Sequence, residues 1–325
     1  MNEPAIKKSP VTHLEITAEH AGRRIDNYLL AYLGNIPKNR VYQMLRKGEV
    51  RVNGARIRQD YRLNDGDVLR LPPVYSLEAG EKSPPPAYLL DKARDNVIYE
   101  DKSLIVFNKP AGLAVHSGKD DPYGVIELFR YIRPEDSGIE LVHRLDKPTS
   151  GCLLLARNHQ VLRQLHQQLR ESAVEKKYMA MLKGSLTTSR EVHSALRVNR
   201  HQSTGKKVQV SGDGKTAHSI FQPLAENPNA TLAVVKIMTG KTHQIRVHAA
   251  SIGHPVAGDI KYGDKAFNRS MSGRGLKRMF LHAWKLRIRL PYENEDRLFT
   301  APLPDDLKKI AGEMFDEYTF TDEVS

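Results

Sequence analysis

A charged turn between two apolar segments is the most restrictive feature of the sequence. Leu141 and Val142 lead into the turn, and residues 152–156 lead out of it with the composition of a buried strand. The turn contains proline and ends at glycine, and it carries one carboxylate, Asp146, two residues after the guanidinium of Arg144. Buried strands hold such a loop in place, so its polar residues are well placed for chemistry. A surface turn with a local ion pair has the same pattern, and spacing alone leaves both interpretations open.

Residues 21–73 predict a small, separate module of two helices and three strands. Apolar residues at helical spacing begin at Ile25, and a second short helix should end at Gly48. The Asn53-Gly54 pair predicts a hairpin, because both residue types tolerate positive φ. A third strand should follow Asp67.

This module carries half of the positive charge of the chain. The formal net charge is +12, and residues 22–73 contain eleven Lys or Arg against five Asp or Glu. Cations on a small rigid surface can contact successive phosphates, which favours nucleic acid as the partner. A solvated charged face is the alternative. The candidate RNA-contacting residues are Arg40, Arg46, Lys47, Arg51, Arg56 and Arg58.

The remainder of the chain predicts an α+β domain. Short β-rich segments at 96–100, 104–108, 177–182 and 232–237 mix with a few helices and no regular βαβ repeat, which indicates a mixed, largely antiparallel sheet with flanking helices. Residues 284–290 should form a further, alternating strand, and residues 223–230 a loop. The predicted organisation is an N-terminal extension (1–20), the basic module (21–73), a proline-rich linker (74–90), the larger domain (91–311) and an acidic tail (312–325).

Several classes of protein are disfavoured by composition. The single cysteine, Cys152, cannot form an internal disulfide, and no apolar run approaches the roughly 20 residues of a membrane span. We therefore expect a cytoplasmic protein without a membrane partner, and a monomer by default. Thirteen histidines include no cluster with metal-ligand spacing, so no metal is expected. The Gly-Lys-Thr triplets at 214–216 and 240–242 lack the first glycine of a P-loop.

Six segments together resemble one enzyme family. His143-Arg144-Leu145-Asp146 resembles the HRLD motif of the RluA family of RNA pseudouridine synthases. Segments 108–112, 175–178, 240–248, 262–264 and 279–283 are similar to family segments in the same order, although Lys241 replaces a more common arginine. Segments 123–127 and 140–144 resemble most closely the branch that acts on large-subunit (23S) rRNA. The basic module resembles an S4 RNA-binding domain at residues 23–26 and 47–54.

The resemblance implies a role for each site residue. Asp146 corresponds to the catalytic carboxylate, Arg246 to the arginine that pairs with it, and Tyr178 to a tyrosine that stacks near the uracil and helps to remove a proton from carbon. Arg144 corresponds to the arginine that fills the space left by the flipped base, and His143 is expected to contribute to the same RNA contact. The isomerisation involves no redox change, so no cofactor is expected.

The implied substrate is large-subunit rRNA or a precursor ribosomal particle. Three alternatives stay open at this point. The chain could be a non-catalytic rRNA-binding assembly factor, which would share the basic module. It could be a glycosidase-like hydrolase using Asp146 with a second acid, or a family member acting on tRNA or another rRNA helix.

Overall fold

The computed structural model describes residues 6–18, 20–34, 36–77, 83–118, 121–136, 138–201 and 205–315. The chain divides into two compact units between Pro84 and Pro85. Most of the predicted acidic tail, from residue 316 onward, lies outside the described residues. No helix in the described ranges is long and apolar enough to cross a membrane.

In its described residues, the first unit contains two helices and two small antiparallel sheets. The larger sheet has the order β2-β5-β3-β4, and β1 pairs with β6. Gly48 ends the second helix at φ 69°, as its position predicts. The elements are β1 (Ile6–Lys8), β2 (Thr12–Glu15), α1 (Ile25–Tyr32), α2 (Lys38–Lys47), β3 (Arg51–Val52), β4 (Ala55–Arg56), β5 (Val68–Leu71) and β6 (Tyr75–Leu77).

Strand pairing in this unit extends into both flanking segments. Strand β2, within the expected extension, pairs with β5, and β6, within the expected linker, pairs with β1. Residues of β2 alternate between half-buried and exposed, which suits a strand with one face on the core. Short edge strands of this kind carry a weak sequence pattern, because three or four residues cannot establish a period.

The second unit contains the remaining elements. They are α3 (Ala87–Asp95), β7 (Val97–Glu100), β8 (Leu104–Lys109), α4 (Val125–Ile132), β9 (Glu140–Leu141), β10 (Ser150–Ala156), α5 (His159–Arg170), β11 (Glu175–Lys183), β12 (Arg190–His201), β13 (Gly205–Val210), β14 (Lys215–Glu226), β15 (Ala230–Ile237), α6 (Gln244–Ser251), α7 (Lys265–Gly273), β16 (Leu281–Arg289), β17 (Asp296–Thr300) and α8 (Asp305–Met314).

The strands of the second unit form one mixed sheet, which confirms the predicted fold class. The order is β13-β12-β14-β15-β11-β16-β10-β8-β7, with β17 beside β16 and β9 beside β10. Every pair is antiparallel except β10 with β16, which run parallel at Ser150 and Gly151. Gly151 has φ 110°, and a Cβ there would stand 2.2 Å from the carbonyl oxygen of Ala283. Glycine is therefore required where the chain leaves the charged turn.

Both faces of this sheet are covered. Tyr178 packs in one apolar cluster with Phe107 and Leu153, and its neighbour Met179 packs in another with Trp284. Successive side chains of a strand point to opposite faces, so β11 contributes to both cores. Tyr178 consequently faces the side of the sheet on which α6 lies, because Ile245 belongs to the same cluster.

One predicted loop is wrong in part. Residues 223–226 belong to β14, and only the short connection before Ala230 is a turn. The register of β14 shifts between Pro223 and Ala225. Leu224 is the unpaired residue of this bulge, and prolines inside strands are found at edges or beside such bulges.

Candidate active site

Asp146 lies on the loop between β9 and β10, at the wall of a cavity of about 900 Å³. Its backbone is held by local hydrogen bonds. The carbonyl of Asp146 accepts from the Thr149 N–H at 3.0 Å, and the carbonyl of Lys147 accepts from the Gly112 N–H at 2.8 Å. The loop is thereby tied to the turn after β8.

Lys109, at the end of β8, reinforces that connection from inside the protein. Its side chain is fully buried, and Nζ donates to the carbonyls of Pro110 (2.9 Å), Leu113 (2.9 Å) and Lys147 (3.2 Å). Burial lowers the pKa of Lys109 to about 7, although the charge of Asp146 opposes the shift. Three carbonyl acceptors suit the three donors of an ammonium group. Lys109 thus positions the loop that carries Asp146.

Arg246, on α6, binds two carboxylates at once. Its Nη1 donates to Oδ2 of Asp146 at 2.8 Å, while Nε and Nη2 donate to the two oxygens of Asp259 at 2.7 and 2.8 Å. Burial would lower the pKa of Arg246, but Asp259 and Asp146 raise it above its usual value. Burial would likewise raise the pKa of Asp259, but the hydrogen bonds and charge of Arg246 lower it. The guanidinium is therefore a fixed, permanently charged donor to Asp146.

His243 and Tyr262 complete the surroundings of this ion pair. His243 Nε2 lies 3.9 Å from Oδ2 of Asp146, and its Nδ1 lies 2.8 Å from the hydroxyl of Tyr262. The Tyr262 ring centre is 5.0 Å from the guanidinium carbon of Arg246, within cation–π range. Burial lowers the pKa of His243, so the imidazole is largely neutral at pH 7.

Tyr178 projects from β11 into the same cavity and is 8% exposed. Burial raises the pKa of its phenol above the ordinary value of 10, and the charge of Asp146 raises it further. The hydroxyl is consequently neutral at physiological pH. It can exchange a proton with a bound group or a water molecule, but it does not carry a standing negative charge.

His143 and Arg144 also line the cavity but differ in their surroundings. His143 Nε2 accepts a hydrogen bond from the backbone N–H of Leu154 at 3.2 Å. Burial lowers the pKa of His143 to about 3, and the charge of Lys176 contributes. Arg144 is exposed, and among the described residues no hydrogen bond or ion pair holds its guanidinium.

The six candidate RNA-contacting residues lie in the first unit and are not equally available. Arg40 is paired with Glu49 at 2.7 Å, and Arg56 donates to the carbonyl of Arg46 at the end of α2. Arg51 donates to the carbonyl of Gly54 at 3.1 Å within its hairpin. The side chains of Arg46, Lys47 and Arg58 are exposed and have no carboxylate partner in the described part of this unit. Arg40 and Arg46 also line a shallow groove beside α2.

Sequence analysis missed two groups at the centre of the site. Asp259 belongs to none of the sequence motifs, although it precedes segment 262–264 by three residues. The sequence around Lys109 predicts only a turn. The role of each depends on contacts with residues 13 and 38 positions away along the chain. Both pairings are long-range and have no local signal.

One further cluster could hold a metal ion by its geometry. Oε1 of Glu191 lies 2.8 Å from Nε2 of His193 and 2.6 Å from Nε2 of His218. Within the described ranges, these three residues are the group whose ligand atoms lie close enough together to bind one ion. His193 and His218 lie directly opposite each other on β12 and β14. The spacing of histidines along the sequence does not indicate this cluster, because its side chains come from two different strands. This cluster does not line the cavity that contains Asp146.

Comparisons with known proteins identify the family of each unit. Residues 103–251 match the family model described as RNA pseudouridylate synthase, and residues 23–69 match the S4 domain. The chain is 44% identical to "Ribosomal large subunit pseudouridine synthase C" of Haemophilus influenzae, over 95% of this chain and 96% of that protein. It is also 44% identical to the protein of the same name from Escherichia coli strain K12, over 90% and 93% of the two chains. The solved structure of human RNA pseudouridylate synthase domain containing 4 superposes with a TM-score of 0.56, at 25% identity, over 70% of this chain and 95% of that one.

Proposed function

The chain belongs to the RNA pseudouridylate synthase family, and we propose that it converts specific uridines of large-subunit (23S) rRNA to pseudouridine. Two similar proteins whose names specify the large ribosomal subunit align with nine-tenths or more of this chain. The S4 domain adds a basic surface suited to structured RNA. The substrate in the cell would be the rRNA itself or a precursor ribosomal particle.

The observation that carries the proposal is the position of Asp146. Pseudouridine formation breaks the bond between N1 of uracil and C1′ of ribose, rotates the base and joins C5 to C1′. A carboxylate on a rigid loop, fixed by Arg246 at 2.8 Å, suits either of two roles. It can add to the sugar or the base as a nucleophile, or it can remove a ribose proton to give a glycal. Both routes use the same carboxylate, and neither requires a second acid.

Tyr178 supports the last step of the proposed reaction. After the new carbon–carbon bond has formed, C5 still carries a proton that must leave. A neutral hydroxyl in a buried cavity can accept this proton while it passes its own to water, or it can orient a water molecule that does so. The flat phenol ring also provides a surface on which uracil can stack.

Arg144 supports extraction of the target base from the RNA. A uridine inside a stack must be flipped out before C1′ can reach Asp146, which costs a few kcal/mol. An exposed arginine two residues before Asp146 is placed to occupy the vacated position. His143 would assist by holding the backbone of this loop against β10, through its hydrogen bond with Leu154.

The S4 domain would bind RNA near the target through phosphate contacts by Arg46, Lys47, Arg51 and Arg58, with Arg40 and Arg56 on the same module. We propose that the protein acts in the cytoplasm as a monomer, and that the isomerisation proceeds without metal or cofactor. The reaction is redox-neutral, and a carboxylate and a phenol supply its acid–base groups, while the guanidinium of Arg246 orients the carboxylate.

The test is tritium release from RNA labelled at C5 of uridine, because forming the new bond at C5 expels that atom. Purified protein is incubated with deproteinised large-subunit rRNA, small-subunit rRNA and tRNA from cells lacking it, in EDTA and without nucleotide. We expect release from large-subunit rRNA alone, at a few mapped positions. Release from tRNA alone would contradict the proposed substrate, and tight rRNA binding without any release would favour an assembly factor.

A further inference from the structure

Lys176 is a buried cation without a counter-ion among the residues that the structure describes. It lies on β11 two residues before Tyr178, so both side chains point to the same face, and both line the cavity that contains Asp146. Lys176 is 9% exposed, and no carboxylate in the described ranges lies within ion-pair distance of its ammonium group. A charge in this position is unfavourable unless something neutralises it.

The charge of Lys241 adds to the unbalanced positive charge at Lys176. Burial lowers the pKa of Lys176, and the ammonium of Lys241 lowers it further. A Cβ placed on Gly240 would stand 4.0 Å from Nζ of Lys176, so the ammonium lies against the loop that carries Lys241. That loop is held in place, because the backbone N–H of Lys241 and the hydroxyl of Thr239 both donate to Oε1 of Gln244. Two cations are thus held near each other without an anion between them.

The rest of the cavity wall does not compensate for this charge. Its acidic residues, within the described part of the chain, are Glu140 and Asp146. Glu140 binds Arg130 at 2.9 Å and Asp146 binds Arg246 at 2.8 Å. Arg144 and Arg170 add further positive charge to the lining. Both carboxylates of the wall are thus already paired with arginines, and an RNA strand that delivers a uridine to Asp146 brings backbone phosphates with it.

We propose that Lys176 and Lys241 form a phosphate-binding subsite that takes one backbone phosphate of the target uridine or of its immediate neighbour. The proposal rests on the proposed function, since it assumes that RNA is the ligand. Lysine suits this position because its ammonium binds phosphate as a point charge, without the fork geometry of arginine. The phosphate would fix the ribose relative to Asp146, and Lys176 would be a positioning residue rather than a catalytic one.

The chain offers a matched control in the next residue. Lys177 points to the opposite face of β11 and does not line the cavity. Its Nζ lies 3.8 Å from Oε1 of Glu175. Lys176→Gln, Lys241→Gln and Lys177→Gln therefore remove one positive charge each, at neighbouring places. Lys176→Arg retains the charge and serves as the rescue variant. Circular dichroism and thermal melting show whether each variant is folded, and Lys241→Gln tests the subsite from a half-buried loop position even if Lys176→Gln is unstable.

The first measurement needs no turnover. Uridine 5′-monophosphate, uridine 3′-monophosphate and uridine are compared as ligands by equilibrium dialysis. The wild-type protein and Lys177→Gln should bind one monophosphate more tightly than uridine by about 10-fold or more, the usual strength of a charge-assisted hydrogen bond. Lys176→Gln and Lys241→Gln should bind that monophosphate and uridine nearly equally. Which monophosphate is preferred identifies the phosphate.

The second measurement uses tritium release from large-subunit rRNA. Lys176→Gln and Lys241→Gln should raise KM by about 10-fold with a smaller change in kcat, and should reduce the slope of log(kcat/KM) against log[salt] by roughly 0.7 to 0.9. Lys177→Gln should match the wild type, and Lys176→Arg should recover most of the loss. A wild-type protein that binds monophosphates no better than uridine would overturn the subsite, as would a Lys176→Gln variant that loses kcat alone. If the wild-type protein prefers a monophosphate over uridine but releases no tritium from rRNA, the subsite is supported and the proposed function is contradicted.

Discussion

Nη1 of Arg246 lies 2.8 Å from Oδ2 of Asp146, while the other two nitrogen atoms of the same guanidinium bind both oxygens of Asp259. Asp259 is 1% exposed, and Asp146 is the more exposed of the two carboxylates, at 23% of its side chain. The buried carboxylate therefore fixes the orientation of Arg246, and Arg246 in turn fixes the carboxylate that faces the cavity. Asp146 is oriented by a buried ion pair and by a loop tied down through Lys109.

Asp259→Asn should reduce turnover although Asp259 does not line the cavity. The amide can accept one hydrogen bond from Arg246 but carries no charge, so the guanidinium should shift, and Asp146 with it. We expect kcat to fall by about 10- to 100-fold, the cost of misplacing a reacting group by roughly 1 Å, with little change in RNA affinity. Single-turnover tritium release and filter binding measure the two quantities.

Asp264→Asn is the matched control, because Asp264 caps α7 and pairs with Lys183 rather than with Arg246. This control should retain the wild-type rate. Equal losses in both variants would indicate a general effect on stability instead of an effect on Arg246.

Tyr178→Phe removes one hydroxyl from the cavity and leaves the ring. If that hydroxyl helps to remove the proton from C5, the chemical step should slow by about 10²- to 10⁴-fold, the usual contribution of a general acid or base. RNA affinity should be unchanged, since the stacking surface is retained. Burial and Asp146 raise the pKa of Tyr178, so the wild-type rate should show no increase from ionisation of this phenol between pH 7 and 9. Wild-type turnover by Tyr178→Phe would exclude the hydroxyl from the mechanism.

The S4 domain should bind RNA with a salt dependence set by its unpaired cations. Arg51→Gln combined with Arg58→Gln should reduce the slope of log K against log[salt] by about 1.5, because each phosphate contact contributes roughly 0.7 to 0.9. Arg40→Gln should change the slope less, because Glu49 already neutralises Arg40 at 2.7 Å. Fluorescence anisotropy with large-subunit rRNA fragments at several salt concentrations gives both slopes. An unchanged slope in the double variant would count against the predicted RNA surface.

His282 should make the second unit less stable in mild acid. It is fully buried, with Nδ1 at 2.9 Å from Ser150 Oγ and Nε2 at 3.0 Å from the carbonyl of Ala301. Burial lowers its pKa from 6.5 to about 4, and Arg278 contributes while Asp306 opposes the shift. Between these values the unfolded chain binds a proton that the folded chain does not, so stability falls as the pH decreases, by about 2 kcal/mol from pH 6.5 to pH 5.

Thermal melting of the wild type and of His282→Gln at pH 7 and pH 5 tests this. The loss of stability between the two pH values should be smaller in the variant, although His143 retains a similar contribution. An identical pH dependence in both proteins would contradict the burial argument for His282.

Local patterns were sufficient for much of the fold. The stripe that begins at Ile25, the glycine at position 48 and the Asn53-Gly54 turn each describe a few consecutive residues, and the structure contains the two helices and the hairpin they predict. Asn158 is another local signal, because an asparagine is a common N-cap and its side chain accepts from the N–H of Val161 at 2.9 Å at the start of α5. Each of these features is decided by short-range sterics or hydrogen bonding.

Long-range pairings were not predictable in the same way. The parallel contact of β10 with β16 joins Ser150 to His282, 132 residues apart, and no local feature of either strand specifies it. β14 continues past Pro223 with a register shift against β15, which no local pattern specifies. In the site, the contact between Asp146 and Arg246 was expected from the family resemblance. The roles of Asp259, Lys109 and Lys176 could not be predicted from local sequence, because each depends on segments that are distant along the chain.

The central claim is that Asp146 carries out the reaction on large-subunit rRNA. The most direct measurement is single-turnover tritium release by the wild type and by Asp146→Asn, side by side, with RNA affinity measured on the same samples. Asparagine has nearly the same shape and can still accept the hydrogen bond from Arg246, so the variant should fold and bind RNA as the wild type does. We predict release by the wild type and none by Asp146→Asn above the rate without protein. Comparable release by the variant, at unchanged RNA affinity, would contradict the assignment of Asp146.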